Sequence, residues 1–132
     1  MRALDTNVLA RYLVADEPRQ LAMAERLIGE CRRNEELLFL SMPVLCELVW
    51  VLDRSYQQTK VQIIFVIESI LASDIFQIEH YELVVRSLRA YRDGRGSFPD
   101  YLIAEISLQA GCRDVVTFDR ALRGAAGFTV LS

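Results

Sequence analysis

A single histidine, only three cysteines, no internal repeat and no low-complexity stretch set aside several kinds of protein at once. His80 has no partner identifiable from the sequence for acid–base catalysis, so its expected place is on the surface or capping a turn. Cys31, Cys46 and Cys112 are odd in number and widely spaced. That suits neither a paired disulfide framework nor a C-x-x-C zinc site, and the expectation is three reduced core thiols in a cytoplasmic protein. The longest apolar stretches fall far short of a membrane span. No basic segment followed by an apolar run precedes a cleavage site, so the chain is read as soluble and folding from its first residue. Excess positive charge is also missing: 15 Lys plus Arg stand against 18 Asp plus Glu, a formal net charge of -3. Such a field does not draw in a polyanion, so a nucleic-acid partner requires a local basic patch or bound cations.

What is present suits one compact domain over residues 1–132, since 52% of the side chains are hydrophobic. Residues 1–4 read as a very short strand running into Asp5-Thr6-Asn7, an acid and two cap-formers that open a helix. Val8, Leu9, Tyr12 and Leu13 then recur at helical spacing. Asp16 is the expected cap of a second helix, with Pro18 in its first turn and Leu21, Ala24, Leu27, Ile28 and Cys31 as its apolar stripe. Residues 37–41 form a continuous apolar run, as in a parallel strand covered on both faces, and Ser41-Met42-Pro43 restarts a helix bearing Val44, Leu45, Leu48, Val49 and Leu52. Residues 58–73 read as an apolar helix and 75–78 as a strand. A further helix spans 81–92, with Val84, Leu88 and Tyr91 as its stripe. Residues 93–97 read as an exposed loop. Pro99-Asp100 opens a helix closed by Gly111 as a left-handed cap, followed by a strand over 114–118, a helical turn over 119–123 and a last strand over 128–131. This alternation predicts an α/β fold, a three-layer α/β/α sandwich around a mainly parallel central sheet.

Parallel sheets gather ligands at the carboxyl ends of their strands. Asp5 directly follows the first strand and Asp119 directly follows Val115-Val116-Thr117-Phe118. Asp100 stands in a first helical turn, where capping alone would account for an acid, as it would for Asp5 and Asp119. Glu47 interrupts Val44-Leu45-Cys46-Glu47-Leu48-Val49-Trp50, a run in which an unpartnered carboxylate is expensive to bury, so a strong partner is expected: a metal ion or an arginine. Four neighbouring carboxylates repel one another, and divalent cations resolve the repulsion. Hard oxygen donors without His or Cys suit Mg²⁺ or Mn²⁺, which turn an acidic site into one for phosphate. Such ions orient and acidify water and stabilise the leaving oxygen of a phosphodiester.

Among the other residues, Trp50 is read as core rather than a base-stacking platform. Arg86, Arg89 and Arg92 recur every third residue along one helix, and Arg95 lies in the loop before Asp100. They read either as a path for RNA phosphates or as a solvated face. Arg11 is a separate candidate for holding phosphate near the site, or for pairing with an acid when no metal is bound. Glu105 points about 140° from Asp100 on an ideal helix and is left out of the site.

Leu4-Asp5-Thr6-Asn7-Val8-Leu9, the segment around Glu47, Phe98-Pro99-Asp100-Tyr101-Leu102-Ile103-Ala104 and Val116-Thr117-Phe118-Asp119 occur in an order that resembles PIN domains, above all the VapC-type toxins of bacterial toxin–antitoxin pairs. The resemblance runs the length of the chain. It implies a ribonuclease whose acids Asp5, Glu47, Asp100 and Asp119 surround Mg²⁺ or Mn²⁺, with Asp5 and Asp100 nearest the metal and Asn7 and Thr117 supporting the acids by hydrogen bonds. It also implies a homodimer, a small antitoxin that blocks the site, and tRNA as the expected substrate. Pro99 departs from the alanine usual in relatives, and proline is at ease at a helix start. Two competitors remain at this point. One is a PIN fold without catalysis that only binds RNA or protein. The other is a haloacid-dehalogenase-like phosphatase, which normally has a second Asp two residues after the first, where this chain has Asn7.

Overall fold

Leu38 and Leu40 are fully buried because their strand, Leu38–Leu40 (β2), lies between two others, Arg2–Ala3 (β1) and Phe76–Ile78 (β3). Both pairings are parallel, with Arg2 opposite Leu38 and Leu40 opposite Ile78. This is why residues 37–41 read as continuously apolar rather than alternating. The computed structural model describes all 132 residues, in two compact units of residues 1–79 and 80–132. The expected α/β class holds, and every strand pairing is parallel.

In the first unit, the helices Thr6–Val14 (α1), Pro18–Arg33 (α2), Met42–Arg54 (α3) and Lys60–Ala72 (α4) accompany the three strands. Each begins on a side-chain cap: Asp5, Glu17, Ser41 and Thr59. The cap of α2 is Glu17 rather than the expected Asp16. Pro18 occupies the first helical position, so its predecessor takes the capping place, and the Glu17 carboxylate accepts from the amides of Arg19 and Gln20. Asp16 pairs with Arg11 instead. The core of this unit is built from Leu9, Leu45, Leu48, Leu52, Ile67 and Ile70 around β2.

Trp50 is not in that core. It is 57% exposed, with the Arg54 guanidinium 5.5 Å from its ring centroid. It stands about 200° around α3 from both Leu48 and Leu52, and so on the opposite face. Nor are the cysteines all core thiols: none is bridged, but only Cys31 is buried, Cys46 is half-buried and Cys112 is exposed. Burial pushes the Cys46 thiol above its ordinary range, lowering its thiolate fraction at neutral pH. A thiol reagent on the native protein is therefore expected to modify Cys112 rapidly and Cys31 and Cys46 slowly. Equal rates, read by mass spectrometry of the labelled peptides, would contradict this ordering.

The second unit comprises helices Tyr81–Asp93 (α5) and Phe98–Gln109 (α6), the parallel strands Val115–Thr117 (β4) and Phe128–Val130 (β5), and a 3₁₀ turn, Arg120–Leu122. The predicted stripe Val84, Leu88 and Tyr91 is buried, and Tyr91 meets Phe98 edge-on at 6.0 Å. Gly111 follows α6 with φ 95°, the left-handed stop expected of it. The loop between α5 and α6 departs in part from its reading as exposed: Gly96 is buried and Gly94 half-buried. Their lack of a side chain admits the ring of Tyr101, whose hydroxyl would lie 1.8 Å from a Cβ at Gly94.

Candidate active site

Backbone pairing of β1 ends with the Leu4 amide donating to the Phe39 carbonyl at 3.1 Å, and Asp5 follows at the carboxyl end of the strand. Its Oδ1 accepts from the Thr6 amide at 2.8 Å. The side chain is otherwise exposed, and Oδ2 has no hydrogen bond. Glu79 holds the same station after β3, an acid that sequence reasoning passed over although it too directly follows a strand. Its Oε1 accepts from the Met42 amide at 2.8 Å and ties the end of β3 to the start of α3.

Glu47 lies on the outer face of α3 and is exposed, sharing that face with Trp50 and Arg54. The expectation that burial forces a strong partner on it is therefore wrong: the apolar run is helical, and one of its faces meets water. Asn7 is exposed and, with Val8, Arg11, Gln20 and Met23, lines a groove of about 440 Å³ between α1 and α2. Arg11 is held firmly. Its Nη1 contacts both Asp16 oxygens at 3.1 Å and the Tyr56 hydroxyl at 2.7 Å, while its Nε donates to Gln20 at 2.6 Å. Desolvation raises the Tyr56 hydroxyl above its ordinary range, Arg11 opposes that rise and Asp16 adds to it. The acid that Arg11 pairs with is Asp16, not one of the four candidates. Thr6 is 4% exposed, and its buried Oγ1 has no partner.

In the second unit, Asp100 is the third residue of α6. Its Oδ2 accepts from the Ser97 amide at 2.8 Å and its own amide donates to Ser97 Oγ at 3.3 Å, a reciprocal capping box. Asp119 stands two residues after β4 and caps the 3₁₀ turn, with Oδ1 accepting from the Ala121 amide at 2.9 Å. Thr117 Oγ1 accepts from the Asp119 amide at 3.0 Å, so its support reaches the acid through the backbone. Phe118, between them, is 80% exposed.

The capping roles foreseen for the three aspartates are thus real, and they leave the catalytic reading open. Each uses one carboxylate oxygen on a backbone amide, which fixes its orientation, and its other oxygen has no hydrogen bond. Each unit supplies two of the four acids, and neither alone gathers three His, Cys, Asp or Glu side chains into a metal-holding group. Among the arginines, Arg86 Nε donates to Glu105 at 3.1 Å, so that charge is partly spent. Arg89, Arg92 and Arg95 are exposed.

The chain belongs to the PIN domain family, whose pattern matches residues 2–127 and so takes in both units and all four acids. It is also similar to the VapC ribonuclease of Aquifex aeolicus (strain VF5), at 29% identity over 123 residues, covering 93% of this chain and 90% of that protein.

Proposed function

We propose that this chain is a single functional domain that hydrolyses RNA phosphodiester bonds as an Mg²⁺- or Mn²⁺-dependent endoribonuclease, the toxin of a toxin–antitoxin pair acting in the cytoplasm. The observation that carries this reading is the likeness to a VapC ribonuclease along nearly the whole chain. The donor chemistry agrees with it. Asp5 and Asp100 offer hard carboxylate oxygens with no competing thiolate or imidazole at the four positions, a set that fits Mg²⁺ or Mn²⁺. The resemblance to PIN domains gives Asp5 and Asp100 as the residues that would hold the ion, and each has one carboxylate oxygen without a hydrogen bond. Bound there, it would supply charge neutralisation at the phosphate and a more acidic water. Glu47 and Asp119 would complete the acidic set, and Thr117 supports Asp119 through its amide, whereas Asn7 makes no hydrogen bond to an acid. Family membership leaves the phosphatase reading without support. A PIN fold that only binds RNA is told apart by assay: purified protein is expected to cleave RNA with added Mn²⁺ and to stop on chelation.

No helix is long and apolar enough to cross a membrane. Trp50 on α3 and Val61 and Phe65 on α4 leave large apolar side chains exposed, which favours self-association into a homodimer. The partners in this reading are RNA, with tRNA as the class to test first, and a cognate antitoxin that covers the acids.

Exposed Arg89 and Arg95 guide RNA phosphates in this account, while Arg86 contributes less because Glu105 shares its charge. An Arg89→Gln, Arg95→Gln variant is expected to raise KM more than it lowers kcat. The slope of log K against log[salt] should become shallower by about 0.7 for each lost single-strand contact. Unchanged affinity and salt slope would make this a solvated face and direct the search to the surface around Arg11.

A further inference from the structure

The loop that positions Asp100 and the turn capped by Asp119 meet at one residue without a side chain. A Cβ built on Gly96 would stand 2.6 Å from Leu122 Cδ2, 3.1 Å from Asp100 Oδ2 and 3.3 Å from Tyr101 Cζ. The backbone of Gly96 is outside the left-handed region, so what excludes a side chain there is space rather than conformation. None of the three neighbours is loose. Leu122 is 1% exposed, and its amide donates to the Asp119 carbonyl at 3.1 Å. Asp100 Oδ2 is the oxygen that receives the Ser97 amide. The buried Tyr101 hydroxyl accepts from the Gly96 amide at 3.0 Å, and its ring is braced edge-on by Phe128 of β5 at 6.2 Å.

We infer that Gly96 is a positioning residue: its bare Cα lets Leu122 seat the Asp119 turn directly against the Asp100 capping box and so fixes how those two carboxylates stand relative to each other. The inference rests on the nuclease reading above and adds to it a residue that touches neither metal nor RNA. A methyl at position 96 must displace its neighbours by about 1 Å to restore ordinary contact distances. Misplacement on that scale costs up to about 10²-fold in rate.

The test is Gly96→Ala, compared with wild type by Mn²⁺ calorimetry, steady-state cleavage and amide exchange of Ser97. With circular dichroism showing the fold retained, Ser97 exchange is expected to accelerate, Mn²⁺ to bind about tenfold more weakly, and kcat to fall about 10- to 100-fold with KM for RNA nearly unchanged. Adding Leu122→Val, which has no δ-carbon to meet the new methyl, should recover part of each loss. If Gly96→Ala does not fold, the double variant carries the test, because its methyl still crowds Asp100, and a smaller loss in the same direction is expected. A folded variant with wild-type Ser97 exchange, Mn²⁺ affinity and kcat overturns the inference. Should wild-type protein neither bind Mn²⁺ nor cleave RNA, the nuclease reading fails by itself. Ser97 exchange then decides alone, faster exchange in the variant upholding the bolt at Gly96 and unchanged exchange refuting it.

Discussion

Asp5→Asn and Asp100→Asn are each expected to lower RNA cleavage by about two to three orders of magnitude, the scale of losing a key electrostatic stabiliser, while barely moving the melting temperature. The structure explains why stability should survive. Each aspartate spends one oxygen on a backbone amide, Thr6 for Asp5 and Ser97 for Asp100, and the asparagine side-chain oxygen can accept the same bond. Asn and Asp are close to equal at an N-cap such as position 5, whereas alanine there costs about 1 kcal/mol, and at position 100 alanine would break the capping box with Ser97. The alanine variants should therefore lose both activity and a few degrees of Tm, the asparagine variants activity alone. Asparagine variants that cleave at wild-type rates would remove these residues from the chemistry and leave them as caps.

The second large effect concerns the cation. An ion that binds only the folded state stabilises it by mass action, about 2.7 kcal/mol at a concentration one hundred times Kd. For a chain of this length that corresponds to a rise of several degrees in Tm. Mn²⁺ is thus expected to raise the melting temperature of wild type clearly and that of Asp5→Asn much less. Equal shifts in both proteins would place the ion elsewhere.

The order of strands and helices was legible because the apolar periods are long and the breaks carry caps: Asp5, Ser41, Pro99 with Asp100, and Gly111 each mark a boundary within a residue or two of where it falls. The misreadings have a common cause. A helix buries one face, and a linear run of apolar letters hides which one. Apart from Glu47, Val44 to Trp50 reads as uniformly apolar, yet Glu47 and Trp50 both face water while Leu45, Leu48 and Leu52 do not. The loop over residues 93–97 misled in the opposite sense. Its small residues suggested exposure, whereas Gly94 and Gly96 are small so that Tyr101 can close against them. No local pattern announces a partner that arrives from five residues further on. Arg11 with Asp16 and Arg86 with Glu105 were likewise out of reach, since charge spacing shows which pairs are possible and not which are made. Asp5, Asp100 and Asp119 came from their stations after strands and in a first helical turn, Glu47 from its place in an apolar run, and all four from the resemblance to PIN domains. The structure adds that three of them are oriented by backbone amides.

In the proposed function Asp5 and Asp100 serve one metal-dependent reaction. The most direct measurement is kcat for Asp5→Asn, Asp100→Asn and the double variant at saturating Mn²⁺. Groups that act as one set are strongly non-additive, because once the set is broken a second loss removes little. The double variant is expected to cleave about as slowly as the worse single variant. Two independent losses that multiply, or single variants with wild-type kcat, would contradict the account.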